Sequence, residues 1–351
     1  MERKIGVGMT KALTCLLAFI ILFTYLSVTV IGAHGDDKEA TDHESERYEA
    51  IERMRRGFEE YEESIDISDL NVMPDELLRL FADATKDTPY LFYVSNNLAY
   101  SYRTGGGVVS VKPVYTMSRA EAMLALDFCK SEIRKMSLLL ADRETELQKL
   151  AGAHDLICKR FTYDITLQSN NIYSFLKTGT GTCQGYTWTY MALLRELGIE
   201  CHYVASDSIA HIWLAVKIDG DWYHSDVTWD DPPGAEQKGI YSRAHLLFSD
   251  EKADLDGYKD RYSVADIICE SKIYDGNELI LEVPPCTNSG DIDHDGRITL
   301  YDLILLRLYI NDKDVAMQNL CLICADADED FCIGEGDVEY IRGVLLGDFC
   351  R

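Results

Sequence analysis

Two acidic stretches of matching pattern, starting at Asp291 and Asp326, restrict the C-terminal part of this chain more than any other feature. In the first, Asp291, Asp293, Asp295 and Asp302 occupy loop positions 1, 3, 5 and 12, with Gly296 at position 6. In the second, Asp326, Asp328, Asp330 and Asp337 take the same places, and Phe331 replaces the glycine. This is EF-hand loop spacing with Asp at the last position. Several oxygens must converge on one hard cation, and position 6 must turn sharply. Arg297 and Cys332, at position 7, would contribute backbone carbonyls. Each loop runs into an apolar helical segment, Leu303 to Ile310 and then Val338, Ile341, Val344 and Leu345. One such match would carry little. Two in register, each followed by an amphipathic helix, imply two Ca2+ sites in a small all-α module over residues 285–351.

The duplicated segment resembles type I dockerins. That resemblance implies binding to a cohesin domain of a scaffold protein, in a cellulosome-like assembly set in polysaccharide catabolism. The family's recognition positions fall at Leu300-Tyr301 and Glu335-Gly336. The pairs differ, so the two repeats are not expected to dock equivalently.

The net charge of −26 excludes a nucleic-acid binder, which needs a basic footprint. Residues 1–33 read as a leader: Arg3, Lys4 and Lys11, an apolar run from Ala12 to Val30, then Ile31-Gly32-Ala33. The run is long, so an uncleaved membrane anchor is the alternative to a signal peptide. Either way the rest of the chain is expected to be secreted, extracellular or held at the cell surface through a scaffold. Eleven cysteines leave disulfides open, with Cys286 and Cys350, which flank the repeats, as one candidate pair.

Residues 34–47 are polar and acidic and read as a linker. Tyr48, Ile51, Met54, Phe58 and Tyr61 then recur at helical spacing, so residues 34–60 are linker plus helix. Residues 61–284 read as one α+β domain with an N-terminal helical and β-hairpin extension. Pro74 opens a short helix. Strands within 90–116 flank Gly105-Gly106-Gly107, and Ser118 with Glu121 form a capping box before a long helical stretch to about Phe161. A helix over 183–197 has Thr182 as N-cap and Gly198 as its left-handed end. Strands follow near 199–205, 210–218 and 222–228.

Gly181-Thr182-Cys183-Gln184-Gly185-Tyr186 places a thiol at a helix N-terminus, where the helix dipole favours thiolate. A thiolate nucleophile needs a base and an orienting group. Asp219-Gly220 is a two-residue hairpin turn between His211-Ile212-Trp213 and Trp222 to Trp229. Pairing Ile218 with Asp221 pairs Trp213 with Asp226 and His211 with Thr228, so His211 and Asp226 become diagonal neighbours on one face. A one-residue longer turn would separate them. Cys183 is then the nucleophile, His211 the base and Asp226 its orienting carboxylate, with the Cys183 N–H as one oxyanion donor. His224 is the runner-up base. Singly, each has a blander reading: a buried small hydrophobe, a strand histidine, a turn cap.

Gly181 to Tyr186, His211 to Trp213 and Trp222 to Pro232 resemble the transglutaminase-like superfamily, in its bacterial extracellular branch, with fainter likeness through His154-Asp155 and Tyr163-Asp164. The resemblance implies a papain-like α+β core, a catalytic helix packed on an antiparallel sheet, with a Cys183-His211-Asp226 triad. No cofactor is expected for catalysis. The superfamily includes cross-linking acyl transferases, peptidases and glycoprotein amidases. Gln184 stands where cross-linking enzymes of animals carry tryptophan, which leaves hydrolysis of protein or peptide amides at least equal to transfer. The competing reading is an inert transglutaminase-like module whose docking segment alone works. A zinc site through Cys321, Cys324, Cys332 and Cys350 is a third reading, ranked behind disulfides or thiols in a linker.

Overall fold

The computed structural model of the chain describes residues 37–104, 106–167, 169–231, 241–263, 266–276, 289–312 and 320–347. The leader, the Pro232-Pro233-Gly234 stretch, Pro284-Pro285 and the Cys286–Cys350 pairing lie outside the described residues. No described helix is long and apolar enough to cross a membrane.

The helical spacing of the N-terminal segment becomes α1 (Asp37–Glu59), which starts eleven residues before Tyr48, within the stretch read as linker. Then come β1 (Ile65–Asp66), α2 (Leu77–Thr85), β2 (Val94–Tyr102) and β3 (Val108–Tyr115). Pro74 sits ahead of α2 rather than in its first turn. The capping box holds: Glu121 N–H donates to Ser118 Oγ, and Ser118 N–H donates back to the Glu121 carboxylate. It leads into α3 (Arg119–Leu138). The long helical stretch is broken after Leu138 and resumes as α4 (Glu146–Arg160), opened by a Thr145–Gln148 capping box. Next are β4 (Thr162–Tyr163), α5 (Ile172–Thr178), β5 (Thr180–Gly181), α6 (Cys183–Glu196), β6 (Cys201–Ser206), β7 (His211–Ile218), β8 (Asp221–Ser225) and α7 (Val227–Asp230). The last described elements are α8 (Asp250–Asp256), β9 (Arg261–Ser263), α9 (Leu300–Asn311), α10 (Leu322–Ala325) and α11 (Glu335–Leu346). The strands pair in the orders β1-β3-β2, β4-β5 and β8-β7-β6-β9.

Two compact units result. The first takes residues up to Met123 with Ala205–His211 and Lys259–Val264. Its core is Met54 and Phe58 of α1, Leu77, Leu80 and Phe81 of α2, and Val108 and Val111 of β3, all buried. Apolar positions three and four apart on each helix make this one continuous seam. The second unit takes Leu124–Val204, Ile212–Tyr258 and Ala265–Arg351.

In the second unit the Asp219-Gly220 turn behaves as read. Both residues have positive φ (51° and 94°), and the ladder runs from Ile218↔Asp221 to Leu214↔Ser225. The ladder stops there, which corrects the expected pairing of Trp213 with Asp226 and of His211 with Thr228. Asp226 is the N-cap of α7, its Oδ1 accepting the N–H groups of Thr228 (3.0 Å) and Trp229 (3.3 Å). A side chain that captures the amides two and three residues on bends the backbone out of the strand.

The acidic repeats belong to this same unit, with Ile292, Leu306, Leu322, Val338 and Ile341 in their shared core. Their backbones repeat: φ is positive at His294 and Glu329, position 4, and at Gly296 and Phe331, position 6. Phe331 therefore makes the turn that glycine makes in the first loop, at a cost of roughly 1–2 kcal/mol for a side chain in left-handed backbone. Its ring is held in compensation. It stacks on Phe161 (6.3 Å between centroids) beneath the Arg160 guanidinium (5.9 Å). Arg160, at the end of α4, is itself buried and pairs with Asp326 Oδ2 at 2.7 Å and Glu329 at 3.1 Å.

Candidate active site and metal-binding loops

Cys183 is the first residue of α6 and is 4% exposed. Thr182 is the N-cap, as expected, but its side chain makes no capping hydrogen bond. The approach to Cys183 is shaped by Phe175, which packs where side chains at 181 and 185 would stand. A Cβ on Gly181 would lie 2.2 Å from that ring, and one on Gly185 2.8 Å. This is the physical reason for glycine on both sides of the thiol. Main-chain bonds fix the same turn, Thr182 N–H to the Ser169 carbonyl (2.8 Å) and Asp164 N–H to the Gly181 carbonyl (2.7 Å).

Three side chains of α6 reach the strands beyond it. Thr187 Oγ1 donates to the Ile212 carbonyl at 3.1 Å, one residue after His211. Tyr190 Oη lies 3.2 Å from Ser225 Oγ, one residue before Asp226. Tyr186 donates to the Asp231 carboxylate, and burial leaves that carboxyl pushed up to about 6. The helix that presents Cys183 is thus stitched to the chain neighbours of both other triad candidates.

Asp226 is buried, and its orientation is set by three donors: the two α7 amides and Tyr258 Oη at 2.9 Å. A carboxylate can accept about four hydrogen bonds, so these three do not exhaust it. Tyr258 is held between Trp213 (4.8 Å) and Trp229 (4.3 Å). Cys183 and Asp226 both lie in the second unit. His211, 6% exposed, opens β7 and closes the 205–211 segment grouped with the first. The residue before it, Ala210, has φ of 50°, an uncommon left-handed conformation for alanine.

Both ring nitrogens of His224 have partners. Its Nδ1 is 3.1 Å from Trp213 Nε1, which can only donate. The proton therefore sits on Nε2, facing Asp250 Oδ1 at 3.0 Å. A neutral imidazole occupied at both nitrogens is a strut between β8 and α8.

The network that sequence reasoning missed centres on His154, which is fully buried. Nδ1 is 3.4 Å from Asp155 and Nε2 is 3.1 Å from Asp230. Burial pulls this imidazole down, but the Cys158 sulfur and the hydrogen-bonded Asp155 and Asp230 carboxylates outweigh it and hold its pKa well above the usual histidine range. Asp155 is also clamped by Arg243, and Asp230 by Ser242 and His245. Both carboxyls are held below the ordinary range, their hydrogen-bonded partners overcoming burial. Nearby Cys158 is buried, its thiol pushed up to about 12 by desolvation, which disqualifies it as a nucleophile near neutral pH.

In the acidic loops, ligand oxygens of Asp291, Asp293 and Asp302 lie within 4.8 Å of one another, as do those of Asp326, Asp328 and Asp330. Asp295 and Asp337 are not in those groups. Asp295 accepts the Arg297 N–H, and Asp337 accepts the N–H groups of Asp328 and Gly334. The position-1 carboxylates are held alike in both loops. Asp291 Oδ2 accepts Gly296 N–H and Asp326 Oδ2 accepts Phe331 N–H, while Oδ1 of each is buried with no hydrogen-bond partner. A buried orphan carboxylate oxygen among other carboxylates is what a hard cation would satisfy. In the second loop, Arg160 already supplies positive charge. The eight described cysteines, Cys183 and Cys332 among them, are in no disulfide.

Residues 137–227 match the model of the transglutaminase-like superfamily, so the chain carries a transglutaminase-like domain. Among solved structures it is similar to a TGase, at 13% identity over 50% of this chain and 53% of that one, with a TM-score of 0.29. It is also similar to a protein from Parabacteroides distasonis that carries a provisional designation as a protease. There the identity is 12% over 53% of this chain and 41% of that one, with a TM-score of 0.24. The chain spans about half the length of these structures. No curated protein matches it.

The His154 network has a testable pH signature. A raised imidazole pKa contributes stability that is complete below its unfolded value and lost only as pH rises through the higher folded value. The depressed carboxyls contribute above their unfolded values and lose it as pH falls through the lower folded ones. Replacing His154 with glutamine should cost about 3–5 kcal/mol, the range for breaking a buried pair. It should also bring acid unfolding to a higher pH, followed by circular dichroism. Coincident acid limbs for the two proteins would remove the network from the account.

Proposed function

We propose that this protein is a thiol enzyme acting on protein or peptide amides through Cys183, His211 and Asp226. The observation that carries the reading is Cys183 at the uncapped start of α6, within the span that matches the transglutaminase-like model. The Cys183 sulfur attacks the amide carbon, His211 having taken the thiol proton, and a C–S bond forms. Oxygen charge in the tetrahedral intermediate faces the N-terminal amides of α6, which include the Cys183 N–H. The C–N bond breaks as His211 returns the proton to the departing amine, leaving a thioester on Cys183. Water then gives the acid, or a second amine gives a new amide. Asp226 holds the imidazole in the tautomer this requires.

The acidic repeats serve as an attachment module. We propose Ca2+ in these loops and docking of the module to a cohesin domain of a scaffold protein outside the cell. Leu300 and Tyr301 of α9 are exposed, and Ile304 and Leu308 continue the same apolar face. At the matching second position, Gly336 is fixed by Asp328, whose Oδ2 would lie 2.1 Å from an added Cβ. The two repeats therefore offer unlike surfaces. The inert-module reading is disfavoured by the retention of all three triad residue types.

A peptide library incubated with the protein, with and without added amines, tests the reaction. Cleaved peptides indicate hydrolysis and amine incorporation indicates transfer. Cys183→Ala should lower either by at least about a thousandfold. Unchanged turnover in that variant rules the mechanism out. For the loops, calorimetric titration with Ca2+ should show binding that Asp291→Ala removes from the first loop. A flat titration of the unaltered protein would end the calcium proposal.

A further inference from the structure

We propose that His294, Cys321 and Cys324 form a site for a thiophilic divalent cation, zinc in the first instance. A ring nitrogen of His294 and the Sγ atoms of both cysteines all lie within 4.8 Å of one another, and His294 Nε2 is 3.3 Å from Cys324 Sγ. Tetrahedral zinc, with bonds of about 2.3 Å to sulfur and about 2.0–2.1 Å to nitrogen, places such atoms roughly 3.5–3.8 Å apart. The His294–Cys324 pair is already close to that spacing, and the Cys321 sulfur lies within 4.8 Å of both.

The local fold builds this geometry. Cys321 is the N-cap of α10, and Cys324 lies three residues on, on the same side of the turn. His294 is aimed by left-handed backbone at position 4 of the first acidic loop. Two main-chain bonds brace the segments against each other, Gly290 N–H to the Cys324 carbonyl (2.7 Å) and Cys321 N–H to the Ile292 carbonyl (2.9 Å). Both thiols are buried, at 5% and 0% exposure. Arg143 Nη2 lies 3.3 Å from Cys321 Sγ, where a guanidinium stabilises thiolate and serves as a hydrogen-bonding outer partner of a bound metal. Two thiolates and a neutral imidazole balance a divalent ion, with water in the fourth position.

This corrects the ligand set suggested by cysteine spacing alone. Cys332 is exposed and is not in the group, Cys350 lies outside the described residues, and a histidine takes part instead. It is also separate in chemistry from the neighbouring carboxylate loop: thiolates select borderline-soft ions and carboxylates select calcium.

The proposal goes beyond the thiol-enzyme reading and does not depend on it. The full chain, saturated with Ca2+ and loaded with Zn2+, should retain about one zinc per chain after dialysis by elemental analysis. Cys324→Ser and His294→Ala should reduce that to about zero. Cys183→Ala should leave it unchanged. Co2+ added to the unaltered chain in place of zinc should give a thiolate-to-metal charge-transfer band, which decides the matter even if the variants fold poorly. Absence of that band, zinc content unaffected by Cys324→Ser, or a Cys321–Cys324 disulfide in protein purified without reductant would overturn the site.

Discussion

Charge buried away from water holds the segment that carries Asp226. His154, fully buried in the second unit, lies 3.4 Å from Asp155 and 3.1 Å from Asp230. Isolated, any of these ions would cost several kcal/mol to bury. Together with Arg243 and His245 they are mutually satisfied, and the links to Asp230, Arg243 and His245 join three separate pieces of chain. Asp230 belongs to α7, the turn that Asp226 caps, and Arg243 and His245 come from beyond it. Four residues of helix could not hold that turn unaided. The buried cluster fixes it to α4, and the direction of the Asp226 carboxylate follows.

Local chemistry was legible in the sequence where local chemistry decides the structure. The Asp219-Gly220 turn set the β7–β8 register because Asp-Gly readily takes the two positive-φ positions of a type I′ hairpin, whose twist matches the strands. Ser118-Glu121 and the Thr182-Cys183 helix start were readable for the same reason. The end of β8 was not. Val227, Thr228 and Trp229 all favour strands, but one Asp226 side chain bonded to two amides outweighs their propensity. The His154 network was also hidden, since its partner Asp230 is 76 residues away and no local pattern announces it.

Phe331 shows how a departure from pattern becomes readable only with its surroundings. In the sequence it stands where a glycine is needed. In the structure it takes the left-handed conformation, and its ring packs on Phe161 under Arg160. The same arginine pairs with Asp326, the position-1 carboxylate of that loop. The repeats are therefore joined to α4 by a buried ion pair and an aromatic stack. The sequence alone reads residues 285–351 as a small module of their own.

Everything proposed for catalysis rests on Cys183 becoming acylated during turnover. The direct measurement is mass spectrometry of the protein quenched in acid during reaction with a peptide substrate, followed by digestion. The account predicts a hydroxylamine-labile acyl adduct on the peptide that contains Cys183. Turnover with no such adduct, or with the adduct on another residue, would contradict it.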